Sequence, residues 1–164
     1  MEKFPEENLL KEKKRQIEDK DKNNNNDSIR EENYLPNYIK KYGKEVGLPN
    51  LKLNENGVCS LCFNDCISVD IVYNEKNNNC FLASPICLIP NNDREKFYEQ
   101  LLISNNTYNE NGGVILGIEE DTNRVVLSYI FIANTFTYFR FENVLRNFVG
   151  IVERNILKFK EFNI

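Results

Sequence analysis

LLISNNTYNENGGVILGIEEDTNRVVLSYIFI, residues 101–132, carries three structural signals in succession. Leu101 and Leu102 close a helical pattern, and the Asn105-Asn106 pair stops it. Val114, Leu116 and Ile118 then alternate around Ile115, Gly117 and Glu119, a strand of period two. Glu120-Asp121-Thr122-Asn123 is a polar hairpin connection. A second strand runs from Arg124 to Ile132. It is apolar on both faces, at Val125, Val126, Leu127, Ile130, Phe131 and Ile132. Such a strand is expected in the middle of a sheet, covered on each side.

Upstream, Leu35, Tyr38, Ile39, Tyr42 and Val46 fall on one face of an amphipathic helix. Pro36 suits its first turn, and Gly47 followed by Pro49 ends it. Three strands are expected next. The first spans Val58 to Phe63, after a turn at Asn56-Gly57. In the second, Ile67, Val69, Ile71 and Tyr73 alternate with Ser68, Asp70 and Val72. Asn74 to Asn79 forms a polar turn, and Cys80 to Ile89 makes the third strand. Pro85 predicts a bulge or an edge there, because proline donates nothing to a ladder. Pro90-Asn91-Asn92 opens the second helix. Asn92 with Glu95 approximates a capping box, and the helix runs to about Ser104 with Phe97, Leu101 and Leu102 on its apolar side.

Downstream, Asn134 to Arg140 reads as a loop that tucks Phe136 or Phe139 inward. From Phe141, the positions Val144, Leu145, Phe148, Val149, Val152, Ile156 and Phe159 keep helical spacing. Gly150 within that run costs about 1 kcal/mol against alanine, which predicts a close helix contact. The order is α-β-β-β-α-β-β-α. Strand runs joined by hairpins predict a five-stranded antiparallel twisted sheet with helices packed on it, the α+β class. Residues 1–32 are charge-dense and include Asn23-Asn24-Asn25-Asn26, so they read as a disordered or weakly helical tail. One domain is expected over 33–164.

The chain has 164 residues, 41% hydrophobic, enough for one packed core. Net charge is -4, and the tail and the remainder are both mildly acidic. A nucleic-acid binder would show a basic face. No apolar run approaches the length of a membrane span, and Met1-Glu2-Lys3 does not begin a secretory signal. Five cysteines without framework spacing predict reduced thiols in a cytoplasmic protein. There is no histidine. That removes Ser-His and Cys-His nucleophile pairs and the commonest general base, so no enzyme is expected.

Cys59-x-x-Cys62-x-x-x-Cys66, with Cys80 and Cys87, invites a metal reading. Structural zinc wants two close pairs, and Cys80 and Cys87 are too far apart for the second. Cys59 and Cys62 also lie in a strand pattern, where an offset of three points them to opposite faces. Core thiols and no metal are expected. Glu119-Glu120-Asp121 reads as a solvated hairpin tip. Gly112-Gly113 precedes a strand, so it is no phosphate loop.

"LL-x-x-N", a polar loop, "G-x-x-L-G-I" and "x-V-V-L-S" together resemble the Tir-chaperone type of type III secretion chaperone. The positions are Leu101, Leu102, Asn105, Gly113, Leu116, Gly117 and Leu127. "YGKEVGLPNLKLNENGVCSL" resembles that family's first helix, its exit and its first strand. The resemblance covers roughly residues 33–160. It implies a cytoplasmic bacterial homodimer without cofactor. Such a protein holds the N-terminal chaperone-binding segment of a secreted effector in an extended state and delivers it to the secretion ATPase or sorting apparatus. It implies a dimer interface at Phe97, Leu101, Leu102, Leu116 and Ile118, and an effector groove around Leu35, Ile39, Tyr42, Leu61 and Phe63. Neither nucleic acid nor membrane is an implied partner. Two other readings stand beside it: a regulatory or sensory module of the same fold, as in the YbjN-like proteins, and a cysteine-based metal protein.

Overall fold

The computed structural model describes residues 35–64, 66–106 and 112–162, so the predicted tail over 1–32 lies outside the described residues. The first helix, α1, spans Leu35–Glu45 and buries Leu35, Tyr38 and Ile39. Val46, counted on its apolar side, is exposed just past its end. Then come β1 (Val58–Phe63), β2 (Ile67–Asn74) and β3 (Asn79–Leu88). Next are α2 (Arg94–Asn106), β4 (Ile115–Glu119), β5 (Arg124–Ile132) and α3 (Tyr138–Lys160). A short 3-10 turn at Ala133–Thr135 joins β5 to α3. The predicted α+β order stands.

The sheet order is β1-β2-β3-β5-β4. Every pairing is antiparallel. Pro85 sits in the central strand β3, and the register shifts between Pro85 and Cys87, so the bulge absorbs the missing donor. At the entry to β1, Gly57 has φ +73, and an added Cβ would lie 2.4 Å from the Tyr73 carbonyl oxygen. Only glycine lets the chain pass that close to β2.

The described helices lie on one face of the sheet. Cys59, Leu61, Val69, Ile71, Cys80, Leu82, Leu116, Val125 and Leu127 point to them and are buried. Helix α3 lies across β3 and β2, α2 packs on β4, and α1 packs on α3. Phe97 of α2 meets Phe159 and Phe162 edge-on, at 5.6 and 5.4 Å between ring centroids. The Tyr38 hydroxyl donates to the Phe136 carbonyl at 2.9 Å, and Phe136 stacks on Phe131 at 4.3 Å.

Several local expectations need correction. Helix α2 starts at Arg94, after Asp93 at φ 54. Asn92 therefore stands one residue too early to cap it, and the Asn92/Glu95 box does not form. Helix α3 starts three residues before Phe141 because Thr137 caps it, its hydroxyl accepting from the Arg140 N–H at 3.3 Å. Phe136 is the phenylalanine tucked inward, and Phe139 is exposed. Gly150 makes no close helix contact, since an added Cβ would meet nothing nearer than the Arg154 guanidinium at 3.7 Å. Strand β5 is interior, paired with β3 and β4, but the described helices cover only one of its faces.

Ser84 lies on the helix-covered face of β3, 1% exposed, and its hydroxyl has no partner among the described residues. A buried hydroxyl left unsatisfied costs about 1–3 kcal/mol. Ser84→Ala is therefore expected to stabilise the fold by about 1 kcal/mol. Thermal melting would show it as a midpoint a few degrees higher, and a lower midpoint would count against the assignment.

Candidate functional site

The side of the sheet that no described helix covers is the first candidate surface. Ladder register places Val58, Val72, Phe81 and Ile130 in one row across β1, β2, β3 and β5, with Ala83 and Val126 on the same face in the next two rows. Ile130 and Ile132 are each 51% exposed, and Ile115 of β4 is exposed beside them. Exposed aliphatic surface of this kind makes the face a candidate interaction site.

The second surface runs over α2 and β4. Phe97, Leu101 and Leu116 are buried and form its floor. Leu102 and Ile118 stand out of it, 71% and 48% exposed, with Ile103 next to Leu102. Of the five residues the resemblance implies for a dimer interface, two thus face solvent and three support them. The Asn105 side chain ties α2 to β4 through two hydrogen bonds to the Leu116 backbone.

The third lies between α1 and α3 at the end of β1. A pocket of about 230 Å³ is lined by Tyr42, Phe63, Val149, Glu142 and Arg146. Arg146 pairs with Glu142 at 2.7 Å on its rim. Burial, and then the Glu142 carboxylate, push the Tyr42 phenol up, so it stays a neutral donor. Leu35, Ile39 and Leu61, expected in an effector groove, are core residues at 1%, 0% and 6% exposure and present no surface. Tyr42 and Phe63 are the two of that group that reach it. Near the pocket the Tyr138 hydroxyl donates to the Glu45 carboxylate, and Lys41 Nζ sits 4.1 Å over the Tyr138 ring.

Cys59 and Cys62 point to opposite faces as their spacing predicts, but the expected core placement holds only for Cys59 and Cys80, since Cys62 and Cys66 are exposed. Among the described residues, no group of three cysteine or carboxylate side chains gathers to hold a metal ion. The carboxylate run at 119–121 lies in the exposed β4–β5 hairpin, where Thr122 bonds the Glu119 carboxylate. Burial pushes the Cys80 thiol from 9.0 up to about 12. Burial also raises Cys59, with Asp70 adding to it. A thiol reagent near neutral pH is expected to modify Cys62 and Cys66 first and to reach Cys59 and Cys80 only on unfolding. Peptide mass mapping reads this directly. Cys80 keeps its proton in the fold above the pH at which the unfolded thiol loses it. Its contribution to stability is therefore full below pH 9.0 and is lost as pH climbs to about 12. Cys80→Ala should flatten that alkaline slope.

The residues missed by sequence reasoning are Ile115, Ile130 and Ile132. Their signal, apolarity on the second face of the strand pair, is the same one that a strand covered on both sides gives.

An antiparallel sheet clad by the described helices on one side defines an α+β module. The family model described as the Tir chaperone protein (CesT) family matches residues 37–155, and the chain belongs to that family. The resemblance to type III secretion chaperones therefore holds. No curated protein matches the sequence. Among solved structures, a chain of the ExsC–ExsE complex is 22% identical with a TM-score of 0.64, over 73% of this chain and 88% of that one. The Yersinia pestis type III secretion chaperone SycH, solved with a fragment of YscM2, is 14% identical with a TM-score of 0.57, over 74% and 98%. The ExoU–SpcU complex of the Pseudomonas aeruginosa type III secretion system gives 14% and 0.57, over 75% and 95%. These likenesses are of fold. Among the described residues, no helix is long and apolar enough to cross a membrane.

Proposed function

We propose that this chaperone binds the N-terminal chaperone-binding segment of a secreted effector and keeps it extended for delivery to the secretion ATPase or sorting apparatus. It acts in the bacterial cytoplasm, without catalysis, as a homodimer joined through Leu102 and Ile118 above the Phe97, Leu101 and Leu116 floor. The observation that carries this reading is the bare apolar face of the sheet in a member of this family, with Ile130 and Ile132 half in water. An extended client gains backbone hydrogen bonds by joining a sheet edge and selectivity from side-chain pockets. The Tyr42–Phe63–Val149 pocket suits one apolar anchor of such a client. That the solved relatives include chaperone–effector complexes supports the same reading.

Co-expression with proteins encoded beside its gene, followed by limited proteolysis and sequencing of the protected piece, tests the proposal. The expected piece comes from the N-terminal region of a secreted protein, and its amides become protected from exchange without the piece becoming globular. A client that folds into a compact domain on the chaperone would refute the reading, as would a chaperone that is monomeric at micromolar concentration.

A further inference from the structure

The sheet ends in two strands, β1 and β4, and an asparagine occupies the outer side of each. In an antiparallel ladder, alternate residues turn their N–H and C=O away from the partner strand. On β4, Leu116 is such a residue. Its N–H donates to Asn105 Oδ1 at 2.8 Å, and its carbonyl accepts from Asn105 Nδ2 at 2.9 Å. One side-chain amide thus makes both bonds that a neighbouring strand would make.

On β1 the same arrangement recurs at Val58. Its N–H donates to Asn54 Oδ1 at 2.9 Å, and its carbonyl accepts from the Asn54 backbone N–H at 2.8 Å. The Gly57 carbonyl accepts from the Tyr73 N–H at 2.8 Å, which sets the phase of the β1–β2 ladder. Val58, Ser60 and Cys62 therefore face outward, while Cys59, Leu61 and Phe63 face β2.

The two edges are left unequal. Within the short β4, Leu116 and Ile118 are the outward residues, and Leu116 is taken. A single remaining position does not seat a strand. On β1, Ser60 and Cys62 remain, among the described residues, as two successive outward residues, enough to start a ladder. We propose that Asn54 and Asn105 lock the ends of the sheet and confine strand addition to Ser60–Cys62 of β1. This rests on the strand-addition mode of the proposed function, and it names the place and phase of the client. A client residue opposite Leu61 points to the helix side, beside Phe63 and Tyr42. Its neighbours point to the other face, beside Ser60 and Cys62 and the Asp70 and Ser68 that pair with them.

The test uses the full chain and a synthetic peptide of residues 67–74, ISVDIVYN, the strand that already pairs with the inner side of β1. With millimolar peptide, the wild-type amides of Ser60 and Cys62 should exchange about tenfold more slowly, and those of Leu116 and Ile118 should not change. Asn105→Ala, made in the monomeric Leu102→Asp chain so that no second copy covers β4, should extend protection to Leu116 and Ile118, and Asn54→Ala should extend it to Val58. The Leu82 amide, deep in β3, reports that each variant is folded. If the alanine variant is not, Asn105→Asp keeps the acceptor for the Leu116 N–H and loses the donor to its carbonyl. It must then extend protection to Ile118. Protection of β4 in the wild type overturns the proposal, as does an unchanged pattern in the variants. A peptide that protects neither edge in any folded form overturns it too, since an edge that takes no strand when opened was not locked. The effector reading fails separately, when co-expression yields no held N-terminal segment, whatever the peptide does.

Discussion

Leu102→Asp is expected to leave the chain folded and make it monomeric. Leu102 is 71% exposed in the single chain, so a carboxylate there costs the monomer almost nothing. In a dimer joined over α2 and β4, the same carboxylate would be buried without a partner, at a cost of several kcal/mol. Each tenfold of dissociation constant corresponds to about 1.4 kcal/mol, so a loss of at least about a hundredfold in dimer affinity follows. Light scattering would read the change in mass, and thermal melting would show the fold intact. Leu116→Asp is the contrasting case. Leu116 is 7% exposed and packs under that surface, so the charge lands in the core and the protein unfolds or aggregates. A Leu102→Asp protein that remains dimeric would move the interface elsewhere.

Ile39→Asp is expected to abolish folding, not client binding alone. Ile39 is 0% exposed, in the same core as Leu35 and Tyr38. The penalty of an unpaired buried carboxylate is comparable to the whole stability of a domain, about 5–15 kcal/mol. Tyr42→Ala tests the client side instead. Tyr42 is half-buried at the pocket with Phe63 and Val149, so its loss should spare the dimer and weaken effector binding. Circular dichroism separates the two variants before any binding is measured. A folded Ile39→Asp protein would show that the α1 face is far more open than the packing indicates.

The strands were legible because their residues alternate within a few positions. Ile67, Val69, Ile71 and Tyr73 are buried and their neighbours are not, so period two alone places β2. The same local logic found the Pro85 bulge and the opposite fates of Cys59 and Cys62. The start of α2 was not legible, because Asp93 adopts φ 54 and shifts the first turn past Asn92. Nor was the true start of α3, where one threonine hydroxyl does the capping. The candidate surfaces were harder still. Apolarity at Ile39 and at Leu102 looks the same in sequence, yet packing hides one and exposes the other. Asn105 read as a helix stop, and its bonds to Leu116 depend on a tertiary approach that no local pattern encodes.

The bare face of the sheet has a calorimetric consequence. Ile130, Ile132 and Ile115 leave apolar surface in water, and a client that lies across them removes it from solvent. Binding should therefore carry a clearly negative heat-capacity change, larger than a contact limited to backbone pairing at one edge would produce. Its enthalpy should become steadily more favourable on warming, while the free energy changes little. A complex whose binding enthalpy is flat with temperature would be one in which the client touches the edge and leaves the face wet.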